Sequence, residues 1–549
     1  MTIPGRESVG PATPPAVASP AGPRLIRSAG LIGAATMASR VLGLVREQVM
    51  AYLFGAGNSV DAFNVAFRIP NLVRDLFAEG AMSAAFVPTF TRQLTRSGRP
   101  AAWRLGSQVI NALLLVTGLL VLLGLMGAGP LVGILAGDYA GVPGKFELTV
   151  QLTRTMLPFL TLVALAAACM GMLNSLDRYF VPALAPALFN VGSIAFTLLA
   201  IPALNALGWP LIHAMAFGVL AGGVCQLLLQ WPLLRREGFR YQPTLDLRDP
   251  ALRQVMLLMG PGTLGLAATQ VNVFVNTWLA TGEGTGAVSW LGYAFRLMYM
   301  PLGIFGVSVA TAALPAIARR AADNDLPGLR HTVTSGLGMM LALNVPATFG
   351  LIVLAEPIVA LLFERGAFTA ADTAATALAL TGYAIGLTGY SFVKIASPAF
   401  YALNESRVPV MVSAASVLFN AALNLALVRR FSYPGLALGT SLTALLNAGL
   451  LLFLLRRRLG GLEARRLASI AMRVLIASLG MATVAWLLHA ELTELWGGAG
   501  LLRQLGRVGG SIGGALIVLW GAARLLRIEE FTSVADAIVG QIARLRPRR

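Results

Sequence analysis

The chain has 549 residues, 56% hydrophobic and 12% charged, with a mean hydropathy of +0.74 and a formal net charge of +18. A soluble domain carries about 25% charged residues, so this composition leaves too little polar surface to coat a water-soluble globule. It describes an all-α polytopic membrane protein. The basic excess does not describe a nucleic-acid binder, because its arginines lie in short loops between apolar runs, where they set topology.

In chain order, residues 1–23 are rich in Pro, Gly, Ala and Ser and read as a disordered cytoplasmic tail. The first apolar run then continues as a spanning helix, not a cleaved leader. Runs of about 20 apolar residues place about 14 transmembrane helices, over 25–56, 59–91, 104–136, 147–176, 182–206, 209–234, 250–281, 286–320, 330–354, 372–403, 408–430, 433–457, 467–489 and 500–526. The short run Glu356–Gly366 and the C-terminal stripe Phe531, Val534, Ile538 and Ile542 read as interfacial. With the N-terminus inside, the even-to-odd loops collect arginines such as Arg92, Arg96, Arg178, Arg235, Arg236, Arg319, Arg320 and Arg456–Arg458. Both termini are then cytoplasmic. Arg429 and Arg430 are exceptions without a physical account.

An internal repeat is legible. Leu173-Asn174 recurs as Leu403-Asn404, 230 residues on; Ala66-Phe67-Arg68 matches Ala294-Phe295-Arg296 at 228; Val87-Pro88 matches Leu314-Pro315 at 227. These displacements span six helices, an even number, so the two copies enter the membrane in the same direction. The expected organisation is an N-lobe over 24–245, a C-lobe over 246–460, two appended helices over 461–527 and a basic tail over 528–549. Two such lobes enclose a midplane site in transporters.

The first two helices carry interior charge: Arg40, Arg46 and Glu47, then Asp61, Arg68, Arg74, Asp75 and Glu79. Such charges face a wet cavity or pair with one another. By helical rise, Arg40 and Arg46 fall within roughly 6 Å of the middle of their helix, and Arg296 about 10 Å from the middle of its own. A cavity in which guanidinium outnumbers carboxylate suits a polyoxygen anion, which the planar fork binds bidentately. An Asp61–Arg46 ion pair is the competing reading for those two residues. Lys394, alone in its helix, reads as a cavity residue, with snorkelling to the interface as the alternative. Asn420 and Asn424, at i and i+4, with Thr440 form either packing glue or a neutral-oxygen site for a monovalent cation. Cys169 and Cys225 lack metal or redox spacing, and His213, His331 and His489 are scattered, so no metal site or cofactor is expected. Arg503 and Arg507 read as interfacial snorkellers.

The runs SRVLGLVRE, FGAG and DAFNVAFRIPNLVRDLFAEGAMSAAFVP, followed by GYAFRLMYMPLGIFGVSVATAALP and LFERGAFT, resemble the MurJ/MviN family of lipid II flippases, over nearly all of residues 25–527. The resemblance implies a fourteen-helix member of the MOP exporter superfamily in the bacterial inner membrane. Its implied substrate is lipid II, the undecaprenyl-diphosphate-linked peptidoglycan precursor, moved from the cytoplasmic to the periplasmic leaflet. It matches the family's cavity arginines to Arg40, Arg46, Arg74 and Arg296, and its helix-2 acid to Asp61. It also implies that the last two helices hold the prenyl tail. Phe295 and Tyr299 depart from members that carry acids there.

Three other readings stay open: a flippase for another polyprenyl-diphosphate oligosaccharide, a cation or drug antiporter, and a non-transporting scaffold for peptidoglycan synthesis enzymes. The chain has no Walker A loop. The membrane potential or a coupled monovalent cation is therefore the expected energy source.

Overall fold

A computed structural model describes residues 23–75, 82, 85–498 and 500–531. Glu79, the tail before Pro23 and the C-terminal stripe beyond Phe531 lie outside them. The described residues form helices joined by turns and short loops, with no strand among them. Ten helices among them are long and apolar enough to cross a membrane, so the expected count of fourteen is not established. Exposed Leu115, Leu122, Leu199, Leu418 and Ile517 would be costly in water and are at home in lipid.

The N-terminal lobe comprises α1 (Pro23–Phe54), α2 (Asn58–Arg74), α3 (Val87–Met126), α4 (Ala128–Ala136), α5 (Lys145–Met156), α6 (Phe159–Ser175), α7 (Phe180–Ala206) and α8 (His213–Arg236). The C-terminal lobe comprises α9 (Pro250–Thr281), α10 (Ala287–Pro301), α11 (Val307–Ala322), α12 (Leu326–Val353), α13 (Ala355–Phe363), α14 (Ala370–Ala384), α15 (Leu387–Ala402) and α16 (Arg407–Arg458). Appended are α17 (Ala464–Leu495), which packs on α12, and α18 (Leu501–Leu525), which packs on α17 and α13. Helix α16 merges the two runs read at 408–430 and 433–457. Ser432, at φ +54°, kinks it just before Pro434. The short run at 356–366 is α13.

The repeat is visible in local geometry, at a displacement of 227 between Asp177 and Asn404, so the Leu173-Asn174 and Leu403-Asn404 match at 230 is not the structural correspondence. Helix α6 ends with Arg178 N–H on the Leu173 carbonyl at 2.9 Å, and α15 ends with Glu405 N–H on the Phe400 carbonyl at 2.9 Å. Left-handed Asp177 and Asn404 make the two turns, which is the Schellman geometry. Arg178 then pairs with Glu237 at 2.8 Å and Glu405 with Arg458 at 2.5 Å. The two lobes thus keep the same ion pair at the same corner with its sign reversed.

Core distribution divides the molecule along α1. Toward the face where α1 ends, the distal face, one cluster runs through both lobes, from Met50, Val60 and Phe159 to Tyr293, Phe363 and Leu387. Toward the opposite, proximal face the lobes have separate cores. One holds Phe86, Phe90, Trp103 and Phe239; the other holds Leu337, Ile395, Phe400 and Leu451. Only α9 bridges the division among the described residues of these clusters. Its first turns pack on the N-terminal lobe through Leu252 and Val255, and its far half packs on α16. The lobes are fused distally and parted proximally.

Small residues let the helices touch within each lobe. A Cβ on Gly389 would stand 2.7 Å from the Ala444 backbone, whereas one on Gly449 would meet nothing within 4 Å. Gly389→Ala is therefore expected to destabilise the protein by about 1–3 kcal/mol, and Gly449→Ala to leave it unchanged. Thermal melting in detergent checks this.

Candidate functional site

The distal fusion is polar at its centre. Asp61, in the first turn of α2, is fully buried. It accepts from Lys145 Nζ at 2.9 Å, Gly286 N–H at 2.7 Å, Ser289 N–H at 3.0 Å and Ser289 Oγ at 2.7 Å. Helix α10 has no cap from its own N-cap residue, Gly286, so a carboxylate of the other lobe caps it. Lys145 lies over the Tyr139 ring, 4.0 Å from its centre. One expectation is thereby corrected: the Asp61–Arg46 pair does not form, and the buried Lys145 is the partner of Asp61. A helix N-terminus and an ammonium together offer the carboxylate a better site than one guanidinium farther along the cleft.

Around this latch the backbones touch. Ala367 N–H donates to the Tyr52 carbonyl at 2.9 Å, Gln48 Nε2 to the Leu362 carbonyl at 3.1 Å, and Tyr293 Oη to the Gly55 carbonyl at 3.2 Å. Gly55 at φ +69° and Gly366 at φ +62° face each other's segments, and a Cβ on either would strike the opposing backbone. These are the glycines of FGAG and LFERGAFT, so both motifs belong to one seal.

On the proximal side of the seal lies a cavity of about 540 Å³ between α1 and α10. Its walls include Arg40, Arg46, Glu47, Arg296, Tyr299 and Ile304. Glu47 is buried and binds an arginine of each lobe: Arg46 Nη2 at 2.9 Å, and Arg296 Nη1 in direct contact. Arg46 also stacks on Phe189, 5.5 Å from the ring centre. Arg74 pairs with Asp75 at 2.7 Å, and Asp75 lies within electrostatic reach of Arg68. Phe295 packs on Tyr299 and on Tyr383, giving the cavity an aromatic wall.

The structure thus brings Arg40, Arg46 and Arg296 together. It holds Arg74 with Asp75 beside Arg68, outside that cavity's walls but close enough for Arg74 to act on Arg46 electrostatically. Five guanidinium groups against Glu47 and Asp75 leave an excess of three positive charges, which repel one another unless an anion lies among them. Lys394 is exposed on α15, one turn beyond Tyr390, and does not line the cavity.

The proposed ion cluster, Asn420, Asn424 and Thr440, is hydrogen-bonded within itself and to α9, with the buried Asn424 Oδ1 left without a partner among the described residues. Asn424 donates to Asn276 at 2.7 Å and to Asn420 at 3.0 Å, Asn420 to Thr443 at 3.1 Å, and Asn276 to Thr440 at 3.4 Å. Its amides and hydroxyls bind one another across α9 and α16, as packing polar groups do. Arg503 and Arg507 donate to the carbonyls of Gly497 and Gly498, in the loop that precedes α18.

The sequence reading missed Gly286, Ser289 and Gly303, and gave Glu47, Asp75 and Lys145 no specific role. A signal existed for Lys145: it is one of only two lysines in the chain.

Two pseudo-symmetric lobes, sealed at one face around a cationic cavity, define an alternating-access membrane transporter for an anion. The model of the family described as lipid II flippase MurJ matches residues 50–505. A lipid II flippase MurJ from Burkholderia cenocepacia is 35% identical over 438 residues, 79% of this chain and 84% of that protein. A probable lipid II flippase MurJ from Bdellovibrio bacteriovorus is 34% identical over 517 residues, 93% and 96% of the two chains. A solved lipid II flippase MurJ in an inward closed conformation superposes with a TM-score of 0.74 at 26% identity, covering 90% of this chain and 99% of that one. A multidrug-resistance transporter of the MATE family and MOP superfamily shares the fold alone, with a TM-score of 0.65 at 15% identity over 79% of this chain and 99% of that one. The chain belongs to the lipid II flippase MurJ family, whose members are multi-pass inner-membrane proteins.

Asp61→Asn leaves Lys145 buried without a counter-charge, a change expected to cost about 3–5 kcal/mol. Adding Lys145→Met is expected to recover part of that loss. In Asp61→Asn, cysteines placed at the distal seal are expected to label faster with a water-soluble maleimide, and melting and labelling together check both effects.

Proposed function

We propose that this protein flips lipid II from the cytoplasmic to the periplasmic leaflet by alternating access, with its proximal face cytoplasmic. The observation that carries the reading is Glu47, a buried acid gripping one arginine of each lobe inside the cavity. Family membership supplies the substrate.

The chemistry follows from the charges. In the empty cavity Glu47 stands in for a substrate anion and holds Arg46 of α1 against Arg296 of α10. A diphosphate presents several oxygens to the same guanidinium groups, with bidentate geometry that a single carboxylate cannot extend to Arg40. Entry of the diphosphate neutralises the charge excess, draws the lobes together proximally and strains the distal seal. The seal then releases at Asp61, whose contacts with Gly286 and Ser289 are the charge-assisted links between lobes there. Asp61 remains paired with Lys145 after α10 leaves, so opening strands no buried carboxylate. Arg68 and Arg74 extend the positive field along the cleft, and the prenyl tail stays in lipid along α17 and α18.

Complementation of a conditional lipid II flippase mutant tests this. The wild-type chain is expected to restore growth, and Arg40→Ala, Arg46→Ala and Arg296→Ala to fail while reaching the membrane. Growth with all three substitutions would overturn the cavity reading and favour a scaffold.

The empty, arginine-rich cavity is driven back toward a negative interior. One charge moved through 100 mV is worth about 2.3 kcal/mol, enough to bias the return step. Collapsing the potential is expected to slow flipping in vesicles; an unchanged rate would point to a coupled cation.

A further inference from the structure

Helix α10 does not run smoothly into α11. Pro301 removes a backbone donor, and Leu302–Gly306 follow as a π-helical turn, with Val307 N–H bonded back to the Leu302 carbonyl. Such a turn inserts an extra residue into the helix and is frequent at functional sites. Its second residue, Gly303, is buried, and a Cβ there would fall on the guanidinium of Arg40, from the opposite lobe. The three heavy atoms nearest that position are all Arg40's: Nη1 in overlap, Cζ at 2.8 Å and Nη2 at 3.2 Å.

Arg40 is thus held differently from its neighbours. Glu47 holds Arg46 and Arg296, and Asp75 holds Arg74. Among the described residues Arg40 forms no ion pair, and it lies where the side chain of residue 303 would be. An arginine placed by shape keeps its N–H donors for a ligand, whereas one placed by a carboxylate shares them. The repeat accounts for the difference. At the displacement of 228 that relates Arg68 to Arg296, Gly303 corresponds to Asp75, which is also a π-helical residue. One lobe puts an acid at this position, and the other puts no side chain there.

We propose that Gly303 is a positioning residue for transport: its missing side chain is the seat in which Arg40 docks across the lobes to meet the substrate diphosphate. The inference rests on the role given to Arg40 above. Gly303 acts through Arg40 and does not touch the substrate.

The test is a double-mutant cycle in the full-length protein, reading lipid II affinity in detergent and flipping in vesicles. Gly303→Ala and Gly303→Ser are the test substitutions. Gly292→Ala is the control, because a Cβ at that α10 glycine meets nothing within 4 Å. Alanine suits a helix better than glycine, and the obstructed atoms are the mobile end of a side chain. Gly303→Ala is therefore expected to melt no lower than wild type. It is nevertheless expected to lose roughly 10- to 100-fold in affinity or flipping, the scale of an ångström-sized misplacement. Gly292→Ala is expected to lose nothing. In an Arg40→Ala background, Gly303→Ala is expected to have no further effect on affinity, a coupling that a purely structural role would not produce. Wild-type affinity and flipping in both residue-303 variants, with Arg40→Ala impaired, would overturn the seat and leave the cavity reading intact. Losses that add in full would do the same. Wild-type behaviour of Arg40→Ala would overturn the cavity reading first and the seat with it.

Discussion

A carboxylate taken out of water costs several kcal/mol unless charge and hydrogen bonds replace its hydration. Asp61 meets that condition most fully while the lobes are closed distally: Lys145 supplies the charge from its own lobe, and Gly286 and Ser289 supply donors from across the interface. The seal therefore contains its own reference state. Apolar packing around Met50, Tyr293 and Phe363 gives it strength, while the cross-lobe cap gives it register, since the donors of a helix N-terminus point in fixed directions. Crossing glycine backbones at Gly55 and Gly366 set how closely the two halves approach.

The cavity uses the opposite arrangement. Positive charge is concentrated there in excess of acid, and the acids present are shared between arginines. Glu47 pulls the lobes together proximally much as Asp61 does distally, but it serves more than one guanidinium and leaves the surrounding charge uncompensated. Closure of one end is then a matter of geometry, and closure of the other a matter of which anion is present. A polyanionic head group with an apolar tail is the kind of ligand that both settles the charge and leaves its chain in the bilayer.

The repeat explains why the two lobes are not equivalent. Both carry the same helix-ending turns at Asp177 and Asn404, and the same corner ion pair with reversed sign. Asp75 and Gly303, which correspond in the repeat, are both π-helical residues. The two positions differ in what they present: Arg74 and Asp75 on one side, Leu302 and Gly303 on the other. Symmetry fixes the scaffold, and the exceptions to it form the site.

Much of this was legible in sequence. Apolar runs of spanning length, loop arginines, constant repeat displacements and the interior arginines each depend on local composition or spacing, and a bilayer enforces those rules at every residue. Arg46 and Arg296 could be expected in one cavity because guanidinium groups in apolar helices have few other places to go. Their common partner could not be expected, since adjacent residues on a helix point about 100° apart and either acid could have faced elsewhere.

What sequence alone determined is the class of the molecule: membrane-spanning, two-lobed, cationic within, in a family of lipid-linked precursor flippases. What only the tertiary structure decided is pairing: Asp61 with Lys145 and not Arg46, Asn424 with Asn276, Arg40 with the empty place at Gly303. Hydrophobicity and periodicity are properties of a segment and survive in the one-dimensional chain. A buried charge chooses its partner by distance and direction across helices far apart in sequence, and those exist only once the chain has folded.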